Sequence, residues 1–206
     1  MREFIYYSSK ARTSGNFNLD NLMEAGRMDI VCNATIMAFF VSHHTREDVK
    51  LHLIFNGPPD APKHLELFPG ENISSGFGDI RGRIDISKKD VAGLIKKMLY
   101  KYKKGMKIEI AKGYSIEKKS FINIINELKE QGKEIFLMDR RGDDIRSLNN
   151  EELNNCVFVI GDHEGLPKQE LRNLKGLGVK RISVGRQTYF ASQTITILQN
   201  ELERRG

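Results

Sequence analysis

The sequence predicts an α/β fold in which a parallel or mixed sheet is covered by helices on both faces. Short apolar runs that are typical of strands alternate along the chain with longer segments of helical periodicity. The run at 156–160 has no polar alternation, which is typical of a strand buried on both faces. Neither an internal repeat nor a low-complexity linker divides the chain, so we predict a single domain over residues 1–206.

The first elements follow from this alternation. Residues 3–9 predict a strand, and the apolar segment 28–41 predicts a mostly buried helix. Residues 49–55 alternate as a strand does. The sequence Asn56-Gly-Pro-Pro-Asp-Ala-Pro62 then predicts a turn, because glycine and proline interrupt regular structure.

The rest of the chain continues the pattern. A short hairpin is predicted at 64–68, followed by a glycine-rich loop at 70–82. Ser87 is a typical N-cap residue, and the helix that it begins is predicted to reach about residue 103. The remaining predictions are a strand at 108–111, a helix at 116–131, strands at 134–138 and 156–160, a short helix from Pro167, a strand at 181–184 and a helix at 191–204.

Composition excludes several classes of protein. The chain has 206 residues and a formal net charge of +6. No stretch approaches about 18 uninterrupted apolar residues, so we predict no membrane span, and the first residues lack the cleavage pattern of an export signal. Cys32 and Cys156 lie far apart inside apolar runs, which is typical of buried thiols in a reducing compartment. We therefore expect a cytoplasmic protein.

Lysines concentrate on one predicted helix. Lys97, Lys101 and Lys104 would share a face of it, with Tyr100 nearby. Clustered ammonium groups can bind a phosphate backbone because they release its condensed counterions. An ordinary solvated helix surface explains the same pattern. Both interpretations stay open at this point.

Several familiar motifs are absent from the sequence. Gly76-Phe-Gly78 begins like a dinucleotide-binding motif, but Arg81 stands at the third glycine's position and no strand precedes it. No Walker sequence occurs. His43 and His44 are adjacent, and neither cysteine has a neighbouring ligand at zinc-like spacing. The spacing therefore predicts no metal site.

Two predicted strands end abruptly in glycine turns. The run at 156–160 is followed by Gly161-Asp-His-Glu-Gly-Leu-Pro167, and the run at 181–184 is followed by Gly185-Arg-Gln-Thr-Tyr189. At the carboxyl ends of strands in an open α/β sheet, backbone groups are left unpaired and are available to a ligand. We expect the two loops to lie side by side and to form a ligand site.

The same segments resemble a known family. Cys156-Val-Phe-Val-Ile-Gly-Asp-His-Glu-Gly165 and the segment from Arg181 to Leu202 are similar to the knotted half of SPOUT methyltransferases. The first half resembles, more narrowly, the TrmY group, which methylates N1 of pseudouridine 54 in transfer RNA. Its matching motifs are Gly26-Arg-Met-Asp29, Ala38-Phe-Phe-Val-Ser-His43, Arg46-Glu-Asp-Val49 and Phe55-Asn-Gly-Pro-Pro59.

This resemblance implies a SPOUT fold with a deep C-terminal trefoil knot at about 130–206, a homodimer built around the knot, and an RNA substrate. It also implies S-adenosylmethionine as the cofactor, bound in a bent form by the knot loops. A glycine at 161 would allow close backbone approach, and apolar side chains at 137 and 138 could cover an adenine face. The cofactor positions implied are Leu137, Met138, Gly161, Val184, Gly185, Arg186, Gln187, Thr188, Tyr189 and Thr194.

The chain departs from the family pattern at three of these positions. Thr194 stands where members often have cysteine, and Arg186 stands where they often have proline. Met138 replaces a customary leucine, which conserves volume. These changes leave the choice of RNA open. The alternatives are a ribosomal RNA pseudouridine as the target, or a noncatalytic RNA-binding protein that retains the fold.

Two aspartates are candidates for catalysis. Removal of the N1 proton of pseudouridine needs an acceptor, and a carboxylate could serve directly or through one water. Asp29 is the first candidate because its motif is similar to the family's substrate-facing motif, and Asp162 is the second because it follows Gly161. A helix cap for Asp29 and an Asx turn for Asp162 are the structural alternatives. RNA-phosphate contacts are expected from Arg27, Arg46 and Lys97.

Overall fold

The computed structural model describes residues 1–42, 44–77 and 86–205. Within these ranges the chain forms ten strands. They are β1 (Arg2–Ser8), β2 (Phe40–Val41), β3 (His44–Thr45), β4 (Val49–Phe55), β5 (Lys63–Leu67), β6 (Ile108–Ala111), β7 (Tyr114–Glu117), β8 (Glu134–Asp144), β9 (Cys156–Gly161) and β10 (Lys180–Ser183).

Seven α-helices lie in the same described ranges. They are α1 (Met28–Phe39), α2 (Ile73–Phe77), α3 (Lys88–Lys101), α4 (Phe121–Glu130), α5 (Asn150–Asn154), α6 (Lys168–Gly176) and α7 (Ala191–Glu203). Short 3-10 turns occupy Gly70–Asn72 and Ile145–Ser147. None of these helices is long and apolar enough to cross a membrane.

Eight of the strands form one mixed sheet in the order β10-β8-β9-β1-β4-β5-β7-β6. The first five strands in this order are mutually parallel, and β5, β7 and β6 continue the sheet antiparallel. The short strands β2 and β3 pair separately. An α/β fold with a mainly parallel sheet is therefore confirmed.

Helices flank the sheet through two apolar clusters. Side chains of a strand alternate between its faces, and on β1 Phe4 and Tyr6 belong to one cluster while Ile5 and Tyr7 belong to the other. Helices α1, α3 and α7 contribute to the first cluster, whereas α4 and α6 contribute to the second. Each large apolar side chain buried in this way contributes about 1.5–3 kcal/mol of hydrophobic stabilisation.

Local chemistry fixes the start of α3. The Ser87 hydroxyl accepts from the Asp90 backbone N–H, and the Asp90 carboxylate accepts from the Ser87 backbone N–H, which completes a capping box. The predicted N-cap at Ser87 is thus confirmed. The helix ends at Lys101, two residues before the predicted end, and Lys104 lies beyond it.

Three other predictions in the middle of the chain were wrong. The hairpin expected at 64–68 is a single strand, β5, which lies between β4 and β7. The helix expected from Ile116 begins at Phe121, because Tyr114–Glu117 pairs with β5 as strand β7. The glycine-rich loop contains helix α2, and its remainder from residue 78, like His43, lies outside the described residues.

An irregularity in the pairing of β8 with β10 displaces part of β8 from the ladder. Leu137 pairs with Arg181 and Asp143 pairs with Ile182, so residues 138–142 leave the ladder between two consecutive partners. A Cβ on Gly142 would lie 2.5 Å from the Ile182 nitrogen, so only glycine permits this close approach. The displaced loop lies within β8, between its two segments that pair with β10.

Candidate functional site

A cavity of about 630 Å³ opens beside residues 137–141 of β8, where β9 ends and α7 begins. Gly161 from the turn after β9 and Tyr189 from the loop after β10 line the same cavity, which confirms that these two loops are neighbours. The displaced loop at 138–142 forms another wall. A smaller cavity of about 80 Å³ adjoins it and is lined by Val184, Gly185 and Gln187.

Nearly all of the predicted cofactor positions converge here. Arg186 is the exception among them, since it is exposed and lines neither cavity. The positions that line the larger cavity are Leu137, Met138, Gly161, Thr188, Tyr189 and Thr194. Those that line the smaller one are Met138, Val184, Gly185, Gln187, Thr188, Tyr189 and Thr194.

Gly161 is required for the shape of its own turn. A Cβ at this position would lie 2.7 Å from the carbonyl carbon of Gly165 and 2.8 Å from the Leu166 side chain. Gly165 has a φ of +77°, which returns the chain toward the end of β9. The turn itself therefore already makes a close backbone approach at Gly161.

Asp162 holds this turn to the end of β1. Its Oδ1 accepts from the Glu164 backbone N–H at 2.9 Å, which is the Asx turn considered as an alternative. Its Oδ2 accepts from the Ser9 backbone N–H at 2.8 Å. An ion pair between Lys10 and Glu164 joins the same two segments. Asp162 is only 9% exposed and lines the larger cavity.

Asp29 forms a two-pronged ion pair with Arg27. Arg27 Nε lies 3.0 Å from Asp29 Oδ1, and Arg27 Nη2 lies 3.0 Å from Asp29 Oδ2. These bonds hold the pKa of Asp29 below its usual range, although partial burial opposes the effect. Asp29 lies in the first turn of α1, while Arg27 occupies the N-cap position. Its neighbour Ile30 lines the larger cavity.

The backbone at Arg27 is strained. Its φ of +63° is uncommon for a residue other than glycine and costs about 1–3 kcal/mol. Gly26 before it has a φ of +71°, and a Cβ there would lie 1.7 Å from the Lys10 carbonyl oxygen. The tight packing of this loop against residue 10 turns Arg27 toward Asp29.

Tyr6 is a functional candidate that sequence reasoning missed. The side chain is 1% exposed, and its hydroxyl oxygen is buried. Burial raises the pKa of Tyr6, and the negative charges of Asp162 and Asp29 raise it further. The phenol therefore lies near both candidate carboxylates. The sequence does not indicate this location near the carboxylates, because tyrosine is common in strands.

Charged residues of the displaced loop were also missed. Asp139, Arg140 and Arg141 line the larger cavity. Partial burial of Asp139 favours its neutral form and would raise its pKa. Hydrogen bonds from Arg141 and the charges of Arg141 and Arg181 outweigh this effect and lower the pKa of Asp139. Asp139 Oδ2 lies 3.0 Å from Arg181 Nη1, a contact between the displaced loop and β10. Residues 139–141 directly follow the predicted strand at 134–138, and this position in the sequence could have identified them as candidates for the site.

The expected RNA contacts lie in different surroundings. Arg27 is committed to Asp29, and Arg46 Nη2 lies 2.9 Å from Glu203 Oε1, with the Arg46 side chain 12% exposed. Lys97 is exposed on α3, where the Tyr100 side chain is 61% exposed. Lys97 is therefore accessible as it stands, whereas Arg46 would have to leave an ion pair to contact phosphate.

Comparisons with known proteins identify the family of the chain. A family model described as "Putative SAM-dependent RNA methyltransferase" matches residues 1–206. A protein of Methanococcus aeolicus named tRNA (pseudouridine(54)-N(1))-methyltransferase is 34% identical, over 99% of this chain and 98% of the relative. A protein of Methanocaldococcus jannaschii with the same name is 32% identical, over 100% of this chain and 98% of the relative.

A solved structure shares the fold. Archaeoglobus fulgidus Nep1 bound to S-adenosylhomocysteine superposes with a TM-score of 0.64, covering 99% of this chain and 98% of its own, at 13% identity. At that identity the likeness concerns the fold alone, which supports the predicted SPOUT architecture. With the full-length family match, the chain belongs to the S-adenosylmethionine-dependent RNA methyltransferases.

Proposed function

We propose that this protein transfers a methyl group from S-adenosylmethionine to N1 of pseudouridine 54 in transfer RNA. The observation that carries the proposal is the similarity over almost the whole chain to relatives that bear this name. A local match could reflect a shared cofactor fold, whereas a match over both halves includes the first-half residues expected to face the RNA.

The larger cavity suits the cofactor. Its volume of about 630 Å³ is within the range of small-molecule sites, and its walls combine apolar residues with charged ones. Leu137 and Met138 would cover the adenine, while the loop after β10 would offer its backbone groups. S-adenosylmethionine supplies an electrophilic methyl group when it is bound. The chain must then position the target nitrogen and accept its proton.

Asp29 is the proposed proton acceptor. Arg27 holds both carboxylate oxygens at 3.0 Å, which keeps the group ionised at neutral pH and fixes its orientation. Asp162 is the second candidate, but each of its oxygens already accepts a backbone N–H. Those bonds give Asp162 a structural task that Asp29 does not share. The buried Tyr6 phenol lies close enough to both carboxylates for their charges to raise its pKa.

The RNA is proposed to bind through cations around the cavity. Arg27 would contact a phosphate next to the target base, with Lys97 and Arg46 farther along the backbone. The target base inside folded RNA must leave its stack to reach a cavity, which costs a few kcal/mol. Phosphate contacts of this kind would offset part of that cost.

The finer architecture also belongs to this proposal. We infer that residues 1–206 form one domain with helices on both sheet faces, and that about 130–206 form a trefoil knot. The displaced loop at 138–142, closely packed on β10, supports a knot because such a loop could surround another segment. Phe190, which is 71% exposed, and Tyr189, which is 38% exposed, support a homodimer contact at the start of α7.

A methylation assay with purified protein tests the function. Transfer RNA transcripts carrying pseudouridine at position 54 are incubated with S-adenosylmethionine, and nucleosides are identified by mass spectrometry. We expect 1-methylpseudouridine in this RNA and none in a matched transcript with uridine at position 54. Methylation of ribosomal RNA but not of the transfer RNA would overturn the proposed substrate, and cofactor binding without methylation of either would overturn the activity.

A further inference from the structure

A buried row of acids and histidines crosses four strands away from the cavity. His52 on β4 and His64 on β5 are each 3% exposed, and His52 Nδ1 lies 2.9 Å from His64 Nε2. Their outer nitrogens contact carboxylates: His52 Nε2 lies 2.9 Å from Glu3 Oε1, and His64 Nδ1 lies 3.0 Å from Glu117 Oε1. Glu66 Oε2 lies 4.0 Å from His52 Nδ1.

The sheet holds these groups in place. His52 is directly opposite Glu66 in the pairing of β4 with β5, and His64 precedes Glu66 by two residues on the same face. Glu3 and Glu117 approach from the neighbouring strands β1 and β7. His52, His64 and Glu66 each offer one ligand atom, and these three atoms lie within 4.8 Å of one another.

The inner nitrogens of the row offer a place for a cation. Three contacts join the four groups Glu3, His52, His64 and Glu117. In the tautomers that donate both outer N–H groups to the carboxylates, the two inner nitrogens direct their lone pairs at each other across 2.9 Å. A cation between them would accept both lone pairs.

The carboxylates already have positively charged partners. The lysine contacts are Lys133 with Glu3 at 2.9 Å, Lys50 with Glu3 at 3.9 Å, Lys119 with Glu117 at 3.0 Å and Lys107 with Glu66 at 3.1 Å. These lysines neutralise the negative charge of the carboxylates. The two imidazole nitrogens would therefore determine which kind of metal ion binds.

The gap between the two inner nitrogens suits a metal ion. A transition-metal ion binds the neutral imidazole through its lone pair and gains a carboxylate ligand as well. Tetrahedral coordination needs a nitrogen separation of roughly 3.3 Å, which a small movement of the two rings would provide.

We propose that His52 Nδ1, His64 Nε2 and the Glu66 carboxylate bind one divalent transition-metal ion of the Zn²⁺ class. Glu3 and Glu117 act as the hydrogen-bond partners that orient the two imidazoles, as outer carboxylates do at metal-bound histidines. Mg²⁺ and Ca²⁺ are excluded by chemistry, because they require mainly oxygen ligands. Spacing in sequence predicts no such site, since strand pairing alone brings residues 52 and 64 together.

The test is metal binding by the full untagged chain after treatment with a chelator. Zn²⁺ is titrated by calorimetry, and Co²⁺ is followed by its visible absorption, which reports nitrogen ligands. We expect one equivalent of each ion to bind. Glu66→Gln should weaken binding at least tenfold, and His64→Gln should abolish it. Glu66 is 27% exposed, so its variant is expected to fold even where the histidine variant does not.

Two control variants make the result specific. Glu130→Gln, at the exposed end of α4, and His163→Asn, in the turn after β9, should bind both ions as the unmodified chain does. The inference is overturned if the unmodified chain binds neither ion. It is equally overturned if Glu66→Gln binds within twofold of the unmodified chain, or if His163→Asn removes the binding.

Discussion

The two loops that form the cavity differ in how they are held. The turn after β9 is tied by Asp162 to Ser9 and to Glu164, and by the ion pair between Lys10 and Glu164. In the loop after β10, the Ser183 hydroxyl accepts from the Gly185 N–H at 3.1 Å and donates to the Gly185 oxygen at 2.6 Å. Residues 186–190 beyond it are exposed.

The two loops therefore have different roles in the site. The turn after β9 is already built and fixes where a ligand can lie, because its polar groups bond to each other and to β1. Residues 186–190 of the loop after β10 are exposed, and their polar groups can bond to a ligand. Substitutions in the first region should therefore affect stability and binding together, while those in the second should affect binding alone.

The largest effect is expected from Asp162→Ala. Loss of this carboxylate leaves two backbone N–H groups without their acceptor and detaches the turn from β1, so the free energy of unfolding should fall by about 3 kcal/mol. Urea unfolding followed by circular dichroism measures it. The exposed Glu130→Ala should remain within about 0.5 kcal/mol of the unmodified chain. Equal stability of the two variants would contradict a structural role for Asp162.

A second substitution in the same turn is Gly161→Ala. The added Cβ would lie 2.7 Å from the Gly165 backbone, so the turn must shift, at a cost of about 2 kcal/mol. S-adenosylmethionine should bind at least tenfold more weakly, as calorimetry would measure. Gly93→Ala on α3 is the matched control, because a Cβ there meets nothing within 4 Å and alanine favours a helix. That variant should be as stable as the unmodified chain or more so.

Arg27→Gln tests the acceptor by its pH dependence. Arg27 lowers the pKa of Asp29, so the carboxylate stays ionised at pH values below the ordinary aspartate pKa of about 3.9. The stabilisation by the ion pair is lost only when the pH falls through this lowered pKa. Without Arg27 the pKa of Asp29 should rise. The acid limb of kcat/KM should then move to higher pH, by up to about one unit.

Steady-state assays from pH 3.5 to 8 on a short RNA substrate measure this limb. The exposed Arg172→Gln on α6 is the control and should leave the limb unchanged. An identical acid limb in the Arg27 variant would mean that Asp29 is not the group whose ionisation limits the reaction.

The smallest effect is expected from Gln187→Ala in the exposed loop. Its free energy of unfolding should change by less than about 0.5 kcal/mol, because the side chain is exposed. The Kd for S-adenosylmethionine should rise about threefold through loss of one polar contact. A stability loss as large as that of Asp162→Ala would remove the distinction between the two loops.

Sequence was most informative where a pattern is local. Apolar runs located β9 and β10, the change from apolar residues to glycine located both loops, and Ser87 located the start of α3. It failed at β7, because four residues that continue into an apolar segment look like the first turn of a helix. Strand pairing with β5 overrides that pattern, and such pairing is not visible along the chain.

Much of the candidate site depends on distant contacts. The Arg27–Asp29 pair follows from a left-handed backbone that the packing of Gly26 against Lys10 imposes. In the sequence, Tyr6 is indistinguishable from the other residues of a buried strand. Only the fold places it near Asp29 and Asp162. The Asx turn at Asp162 was anticipated from its sequence, whereas its bond to Ser9 joins residues 153 positions apart.

A crystal structure with S-adenosylhomocysteine tests the location of the cofactor most directly. The ligand is predicted to lie between Gly161 and Tyr189, with Leu137 and Met138 against its adenine and residues 162–165 unmoved. Ligand density at any other place on the molecule, with this cavity empty, would contradict the account.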